Sequence, residues 1–156
     1  MVDELLLVDD SPADVELAVR SLRRKKLADQ IHVAGDGEEA LDFLFCRERY
    51  AHRSFDRAPK LVLLDLKLPK VDGLEVLRAV RSDPRTKNLP VVILTSSSEQ
   101  RDLVEGYRLG VNAYVQKPVD FEEFRKVIEE IGLFWMFINQ VAPPLAAQPG
   151  IKPSST

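Results

Sequence analysis

Three short apolar runs, Leu5–Val8, Leu61–Leu64 and Val91–Leu94, are continuous rather than alternating, and each stops at a polar residue. A strand with water on one face alternates apolar and polar side chains; one buried on both faces does not. The runs therefore predict central strands of a parallel sheet covered on both sides. Gln30–Ala34 and Asn112–Val115 are weaker candidates for two more strands. Between the runs lie stretches with helical spacing: Val15, Ala18, Val19 and Leu22; then Leu74, Leu77 and Val80; then Leu103, Val104 and Tyr107. A further helix is expected near Glu38–Phe45, entered through Asp36-Gly37. Asp10-Ser11-Pro12 supplies cap residues and an early proline for the first helix. Strand then helix, five times over, predicts an α/β fold: a doubly wound, five-stranded parallel sheet of flavodoxin-like (βα)5 type.

Composition narrows the function classes. The chain has 156 residues, 22 Lys+Arg against 25 Asp+Glu, and a net charge of −3, which gives no electrostatic footprint for nucleic acid. Cys46 is the single cysteine, so an intrachain disulfide and a Cys-based zinc cluster are both excluded. The acidic start and the short Leu5–Val8 run do not form a secretion signal. The longest apolar run, Leu133–Ile138, is too short to span a membrane. A cytoplasmic protein without nucleic-acid or membrane partners is expected. Neither GxxxxGK nor GxGxxG occurs, so a glycine-rich phosphate loop does not supply the site.

The strand ends supply it instead. In an open parallel sheet ligands bind beyond the carboxyl ends of the strands, where strand order reverses. Here those ends carry Asp9-Asp10, Asp65, Thr95-Ser96 and Lys117-Pro118. Carboxylates gathered in one crevice repel one another unless a cation joins them. Hard oxygen ligands suit Mg²⁺, and an Asp that attacks a phosphoryl group needs compensating charge nearby. A lysine and a hydroxyl stabilise the phosphoryl oxygens.

The ordered set Leu7-Val8-Asp9-Asp10-Ser11-Pro12, Leu63-Leu64-Asp65-Leu66-Lys67-Leu68-Pro69 with Asp72-Gly73, Leu94-Thr95-Ser96 and Tyr114-Val115-Gln116-Lys117-Pro118 resembles the receiver domains of two-component response regulators. The resemblance spans about Glu4 to Val141. It implies that Asp65 is the phosphoacceptor and that Asp9, Asp10, Asp65 and the backbone carbonyl of Lys67 hold Mg²⁺. It implies that Thr95 and Lys117 contact the phosphoryl group, that Thr95 and Tyr114 form the switch, and that the Lys117–Pro118 peptide is cis. Lys67 departs from the small polar residue often found two places after the acceptor, and its side chain is expected to screen the phosphoryl group or hinder attacking water.

Residues 1–141 are expected to form the receiver, and 142–156, with four prolines, a flexible tail. The Cys46–Lys60 segment is too long for an ordinary αβ loop and is expected as a surface insertion. In the last helix Phe121, Phe124, Val127, Ile128 and Ile131 mark one apolar face. After Gly132 the helix is apolar all round, which predicts a homodimer contact through Leu133, Phe134, Trp135 and Phe137; burial under the insertion is the alternative. The insertion, the aromatic last helix and the missing output domain resemble the stand-alone regulators of bacterial phytochrome-type histidine kinases. A histidine kinase, or a histidine phosphotransfer protein, is the implied partner. Two rivals exist. A haloacid-dehalogenase-like phosphatase also uses a strand-end Asp with Mg²⁺, but places a second Asp where Lys67 stands. A degenerate receiver acting as a scaffold is disfavoured by the presence of Asp10, Asp65, Thr95 and Lys117.

Overall fold

The computed structural model describes residues 3–142. The expected tail, 142–156, lies outside them apart from its first residue. Five strands, β1 (Glu4–Val8), β2 (Gln30–Ala34), β3 (Leu61–Leu64), β4 (Val91–Thr95) and β5 (Ala113–Gln116), form one parallel sheet in the order β2-β1-β3-β4-β5. Five helices alternate with them: α1 (Pro12–Arg24), α2 (Gly37–Leu44), α3 (Gly73–Ser82), α4 (Gln100–Arg108) and α5 (Phe121–Leu133).

The continuous strand runs have the expected cause. Leu6, Val8, Val62, Leu64, Val91 and Ile93 face a core shared with α2 and α3, through Ala40, Phe43, Val76, Leu77 and Val80. Their neighbours Leu5, Leu7, Leu61, Leu63, Val92 and Leu94 face a second core shared with α1 and α5, through Ala18, Leu22, Phe124, Ile128 and Ile131. The edge strands β2 and β5 are only partly buried, which is why their sequences are less apolar.

Four helices start on a side chain that accepts a backbone N–H: Ser11 from Asp14, Asp36 from Glu39, Asp72 from Glu75 and Asp120 from Glu123. Each such cap contributes about 1 kcal/mol and fixes where its loop ends. At Gly73 the helix backbone lies so close to β3 that an added Cβ would sit 2.2 Å from the Asp65 carbonyl oxygen.

Two expectations need correcting, and one helix turns in a direction that its spacing left open. The α4 stripe does not face the core: Leu103, Val104 and Tyr107 are exposed, and the residues turned inward are Asp102 and Gly106. Gly106 lets the helix approach Ile93 and Tyr114, where a Cβ would stand 3.2 and 3.4 Å from their side chains. Phe121 is likewise exposed, because the inward face of α5 begins only at Phe124. No cis peptide occurs among the described residues, so Lys117–Pro118 is trans; for a prolyl bond trans is the favoured isomer, by about 0.5–1 kcal/mol.

The insertion is anchored rather than loose. Two 3-10 turns, Glu48–Tyr50 and Phe55–Arg57, fold it back onto the sheet. Arg53 donates to the buried Glu4 carboxylate at 2.9 Å and lies 3.8 Å from the Phe43 ring centroid. After α5 the chain widens into a π-helical turn, Phe134–Ile138. This turn buries Met136 and half-buries Trp135 in the α1/α5 core, while Leu133, Phe134, Phe137 and Ile138 stay exposed. The insertion packs its aromatics with Phe43 and Phe45 of the other core, so it does not cover the end of α5.

Candidate functional site

Strand order reverses between β1 and β3, and the residues that follow those two strands are Asp9-Asp10 and Asp65. The reversal opens a crevice there because neighbouring connections leave toward opposite faces of the sheet. Ligand oxygens of Asp9, Asp10 and Asp65 all lie within 4.8 Å of one another. Asp9 and Asp65 are buried and Asp10 is exposed.

Lys117, which follows β5, reaches into this group with only 6% of its side chain exposed. Its ammonium donates to Asp9 Oδ2 at 2.8 Å, to Asp65 Oδ2 at 2.9 Å and to Asp14 Oδ2 at 2.9 Å. The other Asp65 oxygen accepts the Leu66 N–H at 2.7 Å, and Asp9 Oδ1 accepts the Ser11 N–H at 2.9 Å. Each buried carboxylate is thus aimed by one backbone donor and one shared cation.

The charges are strongly coupled. Burial pushes the Asp9 carboxyl above its ordinary range; the Lys117 and Ser11 hydrogen bonds oppose this only in part. Burial alone would push the Lys117 ammonium down, but hydrogen bonds to Asp14, Asp9 and Asp65 outweigh it and hold it above its usual value. One lysine among this many carboxylates leaves excess negative charge, and all the donors are hard oxygens. That donor set fits a small divalent cation such as Mg²⁺ or Mn²⁺.

The neighbouring strand end supplies a hydroxyl. Thr95 is fully buried, and its Oγ1 accepts the Ser97 N–H at 3.2 Å, leaving its own hydrogen available to an incoming acceptor. The Ser97 hydroxyl donates to the buried Asp102 of α4 at 2.6 Å. Tyr114 packs its ring beside Gly106, and burial pushes its phenol up, with Ser97 the polar neighbour that offsets this. The Tyr114 hydroxyl is nevertheless buried without a hydrogen bond. Lys67 is exposed and leans toward Asp102 at 3.7 Å rather than over Asp65. Its loop and Asp10 share the lining of an open cleft of about 360 Å³.

The structure thus brings Asp9, Asp10, Asp65 and Lys117 together, with Thr95 on the adjoining strand. Leu133, Phe134, Trp135 and Phe137 belong to the α5 end and take no part in the crevice. Asp14 was not anticipated. Its position one turn into α1 reads as ordinary first-turn acidity, and nothing in the local pattern announces a partner 103 residues away.

A parallel sheet in this order, with a lysine-bridged carboxylate group at its reversal point, is the architecture of a phosphorylation-controlled signalling domain. The chain belongs to the response regulator receiver domain family, whose pattern it matches over residues 5–129. It is similar to response regulator Rcp1 of Synechocystis, 36% identical over 85% of this chain and 88% of that protein. It is also 40% identical to a probable methanogenesis regulatory protein, FilR2, of Methanothrix harundinacea, over 90% of this chain and 88% of that one. Among solved structures, phosphorylated RcpA, a cyanobacterial phytochrome response regulator, superposes with a TM-score of 0.85 at 34% identity, covering 90% and 99% of the two chains. The Mn²⁺-bound form of Rcp1 superposes at 0.84, with the same identity and coverage. The bacteriophytochrome response regulator AtBRR is 49% identical at a TM-score of 0.70, again over 90% and 99%. The receiver pattern thus accounts for most of the 156 residues.

Proposed function

We propose that Asp65 accepts a phosphoryl group from the phosphohistidine of a histidine kinase or a histidine phosphotransfer protein. The carrying observation is the geometry around Asp65: a buried carboxylate aimed by Leu66 N–H and Lys117, inside a group of three carboxylates within 4.8 Å. One Asp65 oxygen forms the O–P bond as the N–P bond breaks; the electron pair returns to that ring nitrogen, and the ring leaves as neutral imidazole with the proton its other nitrogen already carried. Lys117 turns from carboxylate to phosphoryl oxygens, and the Thr95 hydroxyl donates to one of them. Asp9, Asp10, Asp65 and the Lys67 carbonyl are the groups that would hold Mg²⁺, which when bound neutralises charge on the reacting oxygens.

A phosphoryl group adds about −1.5 to −2 charge at a strand edge where Thr95, at the end of the neighbouring β4, offers a hydroxyl hydrogen. Drawing Thr95 inward moves Ser97, which bonds both Thr95 and Asp102 of α4, and so shifts the helix against which Tyr114 of β5 packs. The relatives support this partner class, since RcpA is a phytochrome response regulator and AtBRR a bacteriophytochrome response regulator. We assign the receiver to residues 1–141, place it in the cytoplasm, and assign it a signalling role rather than turnover of a substrate. Lys67 stands where a dehalogenase-type phosphatase needs its acid, and it is engaged with Asp102.

The end of α5 is the homodimer contact in this account. Leu133, Phe134 and Phe137 are 50%, 45% and 56% exposed, with Trp135 on the inner margin. The test of function is Asp65→Asn with a phosphorylated histidine kinase and Mg²⁺. Wild type takes up label and the variant does not; labelling of Asp65→Asn at the wild-type rate contradicts the assignment.

A further inference from the structure

Lys117 carries three N–H bonds, and three different carboxylates accept them. Two of the acceptors, Asp9 and Asp65, belong to the group whose oxygens crowd within 4.8 Å; the third, Asp14, does not. The distinction matters once a cation is present. A divalent ion held by Asp9 and Asp65 would draw on the two carboxylates that Lys117 also uses, and a phosphoryl ester on Asp65 would remove that residue's negative charge as an acceptor. Asp14, on the first turn of α1, is then the acceptor that the chemistry leaves unchanged. It is placed by its own backbone, whose N–H donates to Ser11 Oγ at 3.4 Å as part of the helix cap.

We infer that Asp14 is a positioning residue for phosphoryl transfer, holding the Lys117 ammonium at the mouth of the pocket while Asp9 and Asp65 turn to their other partners. The inference rests on the proposed role of Asp65 and Lys117. A lysine stem has four rotatable bonds, so without a fixed acceptor the ammonium samples solvent and meets the incoming phosphoryl group only part of the time. A charged hydrogen bond from a rigid helix turn removes that freedom in advance. Asp14 itself touches no reacting atom. Its side chain is 36% exposed, so a change there disturbs no packed core.

Asp14→Ala removes both the acceptor and its charge, whereas Asp14→Asn removes the charge and keeps an acceptor oxygen. Two measurements on the full chain in saturating Mg²⁺ separate these effects: the initial rate of phosphoryl uptake from acetyl phosphate, and the protection of the Lys117 ammonium protons from exchange, read by ¹⁵N NMR. In Asp14→Ala the uptake rate falls roughly tenfold, the scale of one charged hydrogen bond, and the Lys117 ammonium signal is lost. In Asp14→Asn the signal persists and the rate stays within about threefold of wild type, because the acceptor remains. Retention of either the signal or the rate in Asp14→Ala overturns the inference, as does equal slowing by both variants. Failure of the wild type to take up phosphoryl is a failure of the Asp65 assignment instead, and the Lys117 signal in the two variants then still reads whether Asp14 holds the ammonium.

Discussion

Asp9 is buried beside Asp65, and among the described residues its compensation is a shared lysine and one backbone N–H. Its carboxyl is therefore more basic in the folded chain than in the unfolded one. The folded state holds the extra proton, so stability falls as pH rises from the ordinary carboxylate range through that raised value. Asp9→Asn is expected to gain about 1 kcal/mol at neutral pH without divalent ions and to flatten this pH dependence, in urea titrations at several pH values. A destabilised variant contradicts the account of the pocket. Mg²⁺ is expected to raise the wild-type melting temperature by mass action, and to do so less in Asp9→Asn. At this scale the sequence exposed Asp9, Asp10, Asp65, Thr95 and Lys117, because each ends or closely follows a strand at the same edge of the sheet. Asp14 stayed hidden because its partner is set by tertiary structure, and its local position has a sufficient explanation in the helix cap.

Elements were readable in kind more than in orientation. The spacing of Leu103, Val104 and Tyr107 is helical, and α4 is a helix, yet it turns those residues outward. Periodicity reports a stripe; it does not report that Gly106 permits a closer approach on the opposite side. The Phe134–Ile138 run raised a similar problem, since an all-apolar segment has no preferred face until the turn widens and buries Met136. The length of the insertion predicted only a surface excursion, and Arg53 within it pairs with the buried Glu4 beside the Phe43 ring. Both partners are largely buried, with side chains 11% and 4% exposed. Arg53→Ala leaves Glu4 with Arg57 at 3.5 Å as its remaining close cation, and is expected to cost about 2–3 kcal/mol in denaturant titrations. A loss below about 0.5 kcal/mol would contradict this anchoring role for the insertion.

Across the whole molecule, the two cores on either side of the sheet hold β1 and β3 side by side, and the reaction crevice follows from that order. The order was predictable in class because continuous apolar strands demand two covering layers. For the proposed self-association surface, the sequence named Leu133, Phe134, Trp135 and Phe137 together, and the packing of Met136 and Trp135 divides them into exposed and inner residues. Sedimentation of wild type is expected to show a concentration-dependent dimer, and Phe137→Glu to shift it toward monomer without loss of fold. A monomer at every concentration, phosphorylated or not, contradicts that contact. The central claim is narrower and concerns a single carboxylate. Borohydride reduction of the phosphorylated chain, followed by peptide mapping, converts an aspartyl phosphate to homoserine and so marks its position. The account predicts homoserine at position 65 and at no other aspartate; a mark at Asp9 or Asp10, or phosphoryl on a residue that borohydride does not reduce, would contradict it.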